Sequence, residues 1–102
     1  MIHVIATIEL NAGTRSAFLV EFKKLVPLVQ AENGCLEYGP AVDAENAAPD
    51  QPPPRSNTVV VIEKWSDLAT LAAHRNAQHM VDFRPKVKDY VKSIQLQILA
   101  PA

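Results

Sequence analysis

The chain contains a single cysteine, Cys35, among 102 residues. One thiol closes no internal disulfide and supplies no cysteine-based zinc site. Clustered positive charge is missing too. Ten Lys and Arg stand against eleven Asp and Glu, for a formal net charge of −1. A nucleic-acid surface needs grouped cations, and no basic run occurs. No apolar stretch approaches the roughly 18 residues of a membrane span. The opening segment MIHVIATIEL has no basic region and alternates like a strand, so it does not read as a secretory leader. These absences predict a soluble protein of a reducing cytoplasm, with no nucleic-acid and no membrane partner.

What is present is a succession of two hydrophobic periods. Residues 2–10 alternate as a strand, with Ile2, Val4, Ala6, Ile8 and Leu10 on one face and His3, Ile5, Thr7 and Glu9 on the other. After the turn NAGT the spacing changes to three and four, through Phe18, Phe22, Leu25, Val26 and Val29. This predicts a helix from Thr14. A kink is expected at Pro27, whose ring clashes with the carbonyl of Lys23. Gly34 is the expected stop. A second strand is expected over 35–43.

The segment AENAAPDQPPPRSN holds four prolines and no periodicity. It predicts a loop over 44–56, mobile and partly extended. TVVVIEKW, residues 58–65, reads as a third strand. Ser66 is the expected cap of a short helix in DLATLAAHRNA. A further helical piece over 79–91 places Met80, Phe83, Val87 and Val91 on one face, with Pro85 inside it. SIQLQILA, residues 93–100, alternates Ile94, Leu96 and Ile98 with Gln95 and Gln97.

The resulting order is a ferredoxin-like βαββαβ unit, an α+β fold with one antiparallel sheet in a single domain over residues 1–102. Its helices cover one sheet face. The other face has no helix left to cover it, which predicts a homodimer with two sheets face to face. A domain this short leaves roughly a third of its unfolded-chain surface exposed, so pairing is a common source of added stability.

Cys35 follows a helix end and sits between Glu32 and Glu37. A reactive thiol needs a helix N-terminus or a cationic neighbour. Cys35 therefore reads as a small buried hydrophobe. Its surroundings carry a different signal. AENGCLEYG resembles the E-x-G-C-x-x-Y segment of the antibiotic biosynthesis monooxygenase family. VIEKWSDLATLAAHRNAQHMVDF resembles that family's second segment, in which Glu-x-Trp ends a strand and His-x4-His follows a short helix. Here those residues are Glu63, Trp65, His74 and His79. The resemblance covers the whole chain except the proline-rich loop, which is longer than the family pattern. It implies a dimeric α+β barrel. It also implies oxidation of quinols or polycyclic phenols by O2 without metal or flavin.

Such chemistry asks for one base, an apolar wall and a few orienting groups. His74 is the first candidate base, because imidazole takes up protons near neutral pH. A surface histidine at a helix end is the alternative. Trp65 shares a strand face with Glu63 and offers a flat wall against a ring, or a core tryptophan. Glu63 is read as orienting His74, or as a salt-bridge partner of Arg84 or Arg75. These three are the candidate catalytic residues. His79, Tyr38, Arg84 and Phe83 are the candidate substrate-binding residues. Alternation places Tyr38 with Leu36, which favours the core. His3, on the opposite face from Val4, is expected at the dimer rim. His74 and His79 are five apart, share no helical face and have no third ligand nearby in the sequence, so no metal site is expected.

Haem-degrading relatives carry an Asn on the first strand. VIATIEL has none, which argues against a haem substrate. Two other functions remain open. One is isomerisation of a small phosphorylated metabolite, with Arg75, Arg84 and Lys64 as cations but no glycine-rich phosphate cradle. The other is a non-catalytic dimeric binding module. An apolar slot favours a ring; free arginines favour a phosphate.

Overall fold

The computed structural model describes residues 1–102. It contains β1 (Ile2–Leu10), α1 (Arg15–Gln30), β2 (Cys35–Ala41), β3 (Thr58–Trp65), α2 (Leu68–Arg75), α3 (Gln78–Val87) and β4 (Val91–Leu99). The four strands form one antiparallel sheet in the order β2-β3-β1-β4. This is the ferredoxin-like α+β arrangement, with the second helical arm divided into α2 and α3.

The helical layer follows from the periodicity. Val4, Ala6, Ile8 and Leu10 of β1 are buried together with Phe18, Phe22, Leu25 and Val29 of α1. Thr14 gives α1 no side-chain cap, and its first turn has no acidic residue. A missing cap costs about 1 kcal/mol. Each fully buried large apolar side chain contributes about 1.5–3 kcal/mol, so four of them outweigh it and packing holds the helix. The helix runs on through Pro27 to Gln30. Two phenylalanines of α1 and one of α3 meet edge-on or tilted, with Phe22 and Phe83 centroids 5.8 Å apart and Phe18 and Phe22 5.7 Å apart. This aromatic contact joins the two helical arms.

Several local features differ from expectation, and β2 ends at Ala41, short of the expected 43. Asp67, not Ser66, caps α2: its carboxylate accepts the Thr70 backbone N–H at 2.8 Å. That bond holds the Asp67 carboxyl below its ordinary range. Helix α3 ends at Val87, and Val91 already belongs to β4. On β2 the pairing advances by two residues, Cys35 to Glu37, against one step on β3, Trp65 to Lys64. This bulge leaves Leu36 exposed and turns Tyr38 inward with a spacing of three from Cys35.

The proline-rich loop is tied at its base. The Arg55 guanidinium donates to both Asp43 oxygens at 2.8 Å, and the Arg55 backbone N–H donates to Asp43 Oδ2. Arg55 thereby holds the Asp43 carboxyl well below the usual carboxylate range.

At the other end of the sheet, Ile94, Leu96 and Ile98 lie opposite Ile8, Ala6 and Val4. They therefore face the helical side, yet remain 60%, 39% and 42% exposed. The helices stop short of β4.

The turn after α1 fixes β2 against the start of α2. Gly34 has φ +81°, and a Cβ there would sit 2.5 Å from Thr70 Cγ2. Its carbonyl accepts the Ser66 N–H at 2.9 Å. Gly34→Ala is expected to lower stability by about 2 kcal/mol, from a left-handed backbone and a steric clash together. Urea denaturation of Gly34→Ala alone and combined with Thr70→Gly measures this. The second change should recover the steric part only. A neutral Gly34→Ala contradicts the assignment.

Candidate active site

Four chain segments converge beneath the helices. The turn after α1 brings Glu32, β3 brings Glu63 and Trp65, the last turn of α2 brings His74, and the first turn of α3 brings His79. Glu63 and Trp65 point inward because they alternate with the outward Lys64, which pairs with Glu37 at 3.8 Å.

His74 is 4% exposed and held on every side. Trp65 lies against one ring face at a centroid distance of 4.7 Å and an angle of 32°. Tyr38 approaches edge-on at 5.6 Å. The His74 Nδ1–H donates to Glu32 Oε2 at 2.8 Å. The same oxygen accepts the His79 Nε2–H at 2.7 Å. His74 Nε2 is left facing Glu63 Oε1 at 4.0 Å. Glu63 Oε1 also accepts the Trp65 indole N–H at 3.0 Å. A carboxylate only accepts, so Glu32 assigns the proton of the neutral His74 ring to Nδ1 and leaves a lone pair on Nε2.

The neighbours follow from burial. Burial pushes the Glu63 carboxyl up; the Trp65 hydrogen bond and the nearby His74 oppose this, and Glu32 adds to it. Burial, then Glu63 and Glu32, push the Tyr38 hydroxyl far up, so it stays a phenol. The Cys35 thiol is raised by burial and by Glu32 and Glu63, which makes it a poor nucleophile.

Beside His74 and Glu63 lies a cavity of about 650 Å³ between sheet and helices. That is a usual size for a small-molecule site. Its wall is mostly apolar and includes Val4, Phe22, Val61, Met80, Phe83 and Leu96. Tyr38 lines it as well, as do Arg75, Arg84 and Lys88.

The placement of each candidate is therefore specific. His74, Glu63, Tyr38, Phe83 and Arg84 line the cavity. Trp65 is fully buried and does not reach it, so it backs His74 instead of walling a ligand. Glu63 forms no salt bridge with Arg84 or Arg75; Arg84 donates to the Arg75 carbonyl at 2.6 Å. His79 sits outside the cavity, behind Glu32. His3 lies on the helix-free face opposite Lys64 and Leu99. Periodicity did not point to Glu32, although it is the acid of the AENGCLEYG segment. The fold also supplies the third donor that the spacing of His74 and His79 lacked. One donor atom from each of Glu32, His74 and His79 lies within 4.8 Å of the others. Two imidazoles and a carboxylate suit a divalent first-row ion. In this arrangement the carboxylate oxygen takes both imidazole protons.

The site thus combines a buried, carboxylate-bound histidine with a mostly apolar cavity on a ferredoxin-like sheet. Comparison with known proteins gives the family. The model of the family described as "Antibiotic biosynthesis monooxygenase" matches residues 1–86, and the chain belongs to this family. It is 37% identical to the probable quinol monooxygenase YgiN of Escherichia coli K12, over 99% of this chain and 98% of that protein. The YgiN of Shigella flexneri matches equally. Among solved structures, PA3566 from Pseudomonas aeruginosa superposes with a TM-score of 0.82 at 28% identity, covering 99% of this chain and 93% of that one. Rv0793 from Mycobacterium tuberculosis shares the fold with a TM-score of 0.80 at 22% identity, covering 99% and 94%.

The raised Glu63 has a stability consequence. A carboxyl whose folded pKa lies above its unfolded value contributes most below the ordinary glutamate range. That contribution is lost as pH rises through the folded value. Glu63→Gln keeps an acceptor for the Trp65 indole and removes the buried charge. Thermal melts are expected to show Glu63→Gln a few degrees above the native protein at about pH 8, with the gap closing by about pH 4. A Glu63→Gln protein less stable at about pH 8 would show that His74 makes the ionised carboxylate favourable.

Proposed function

We propose that the chain is a cofactor-independent monooxygenase that oxidises a quinol or polycyclic phenol with O2, His74 acting as the base. The carrying observation is the Glu32–His74 hydrogen bond, which leaves Nε2 unprotonated beside a mostly apolar cavity of about 650 Å³. His74 Nε2 takes the proton of a ring hydroxyl. Glu63, 4.0 Å from Nε2, stabilises the imidazolium that forms. The ring anion passes one electron to O2, giving a ring radical and superoxide. These combine as a ring peroxide, which takes its proton back from the imidazolium. Loss of water then leaves one oxygen atom on the ring and the other in the water. The substrate supplies every electron, so the reading calls for no metal or flavin. The apolar wall keeps the radical pair from water. The YgiN likeness supports the quinol class.

The isomerase alternative draws on the cavity's cations, but a largely apolar wall favours a ring over a sugar phosphate. A non-catalytic module would have its polar groups used up in ion pairs. Glu63 has a single ion-pair contact, with His74 at 4.0 Å.

We further propose that the chain works as a cytoplasmic homodimer, where Cys35 stays reduced. Ile5, Val60, Ile62 and Leu99 fall on the helix-free sheet face, with Ile62 38% and Leu99 43% exposed. A second copy of that face is the natural cover for it. Sedimentation at micromolar concentration should give twice the chain mass; a monomer mass contradicts the pairing.

Oxygen uptake by metal-free protein with reduced naphthoquinols, anthrones and catechols tests the activity. Rates should exceed autoxidation and fall to background in His74→Ala. Glu32→Gln should lower kcat by about 10–100-fold with little change in KM. Uptake that survives His74→Ala removes His74 as the base.

A further inference from the structure

The cavity joins two chemistries that rarely serve one neutral ligand. Its wall is mostly apolar, yet α2 and α3 bring three cations to it: Arg75, Arg84 and Lys88. None of the three takes part in an ion pair. Arg84 spends one N–H on the Arg75 carbonyl, which ties the two residues and leaves its other donors available. The one acid on the wall, Glu63, is already engaged by the Trp65 indole and lies near His74. Three like charges therefore share a wall with no counter-charge of their own.

We propose that Arg75, Arg84 and Lys88 form an anion subsite, and that the ring substrate carries a carboxylate that docks there while its hydroxyl meets His74. The proposal rests on the ring-oxidation reading for the part of the substrate that enters the apolar cavity. The physical argument has two parts. An exposed ion pair contributes little by itself, but a carboxylate brought to the mouth of an apolar cavity loses water and needs donors in its place. A guanidinium matches a carboxylate with two parallel N–H bonds, so it fixes direction as well as charge. Fixing the carboxylate then selects which ring hydroxyl reaches Nε2. The subsite thus governs the position of oxidation as well as affinity.

The same cations would take the phosphate of a small phosphorylated metabolite. Equilibrium binding separates the two sources without any oxidation. The probes are 2-naphthoate, the uncharged 2-naphthamide and inorganic phosphate, at constant ionic strength. The ring acid should bind about tenfold tighter than the amide, as expected for charge-assisted hydrogen bonds. Arg75→Gln combined with Lys88→Gln should erase the preference and leave amide binding unchanged. If that variant unfolds, Lys88→Gln alone, exposed at the end of α3, should still reduce the preference. Arg84→Lys, which keeps the charge, should retain part of it.

Equal binding of acid and amide overturns the proposal, as does a variant that weakens both alike. Phosphate that binds as tightly as 2-naphthoate also overturns it and gives the wall to a phosphorylated metabolite. Failure of the oxidation reading looks different: naphthoquinol carboxylates would consume no O2 while the binding preference persisted.

Discussion

One carboxylate oxygen organises the site. Glu32 Oε2 accepts a hydrogen bond from His74 at 2.8 Å and from His79 at 2.7 Å. The first bond decides the tautomer of His74. The second anchors Glu32 from the far side, so the carboxylate is held between two rings on different helices. The proposed proton transfer depends on this. With the proton on Nδ1, Nε2 is a base. With the tautomer reversed, the cavity would face an N–H donor and could not take a proton from a ring hydroxyl.

The fold is arranged so that this oxygen cannot drift. Glu32 lies two residues before Gly34, whose left-handed backbone turns the chain and whose missing Cβ lets Thr70 approach. Thr70 is in turn the residue whose N–H meets the Asp67 cap. The end of α1 and the start of α2 are thus locked together, and His74 lies one turn further along α2. Trp65 closes the back of the ring and Tyr38 its edge. Around this core stands the apolar wall, drawn from β1, β3, β4, α1 and α3. The polar part of the site is small: Glu32 is engaged by both histidines, Glu63 by the Trp65 indole, and His74 Nε2 has no hydrogen bond.

Much of this was legible in the sequence where a period was clean. The strand faces of β1 and the alternation of Ile94, Leu96 and Ile98 are read correctly from a period of two. The α1 core is read correctly from a period of three and four. Tyr38 lies in the core as the sequence favours, but Leu36, which alternation places beside it, is exposed, because a one-residue bulge breaks the alternation and periodicity carries no sign of a bulge. For Trp65 the sequence leaves a cavity wall and a core position both open, since a strand pattern reports a face and not the depth of burial; the structure has the core position. Glu32 escaped for a third reason. It is exposed in sequence terms, a lone acid past a helix end, and only the tertiary approach of α2 and α3 gives it two partners. The same approach assembles a donor set around His74 and His79 that sequence spacing alone rules out.

The most direct test of the account is the protonation pattern of the His74 ring. Nitrogen-15 NMR of protein labelled in its three histidines resolves the tautomers by chemical shift and two-bond coupling. Replacement of His74 assigns its signals. The account predicts that neutral His74 carries its proton on Nδ1, and that Glu32→Gln shifts the balance towards Nε2–H. A native ring protonated on Nε2 would contradict it, because no lone pair would then face the cavity.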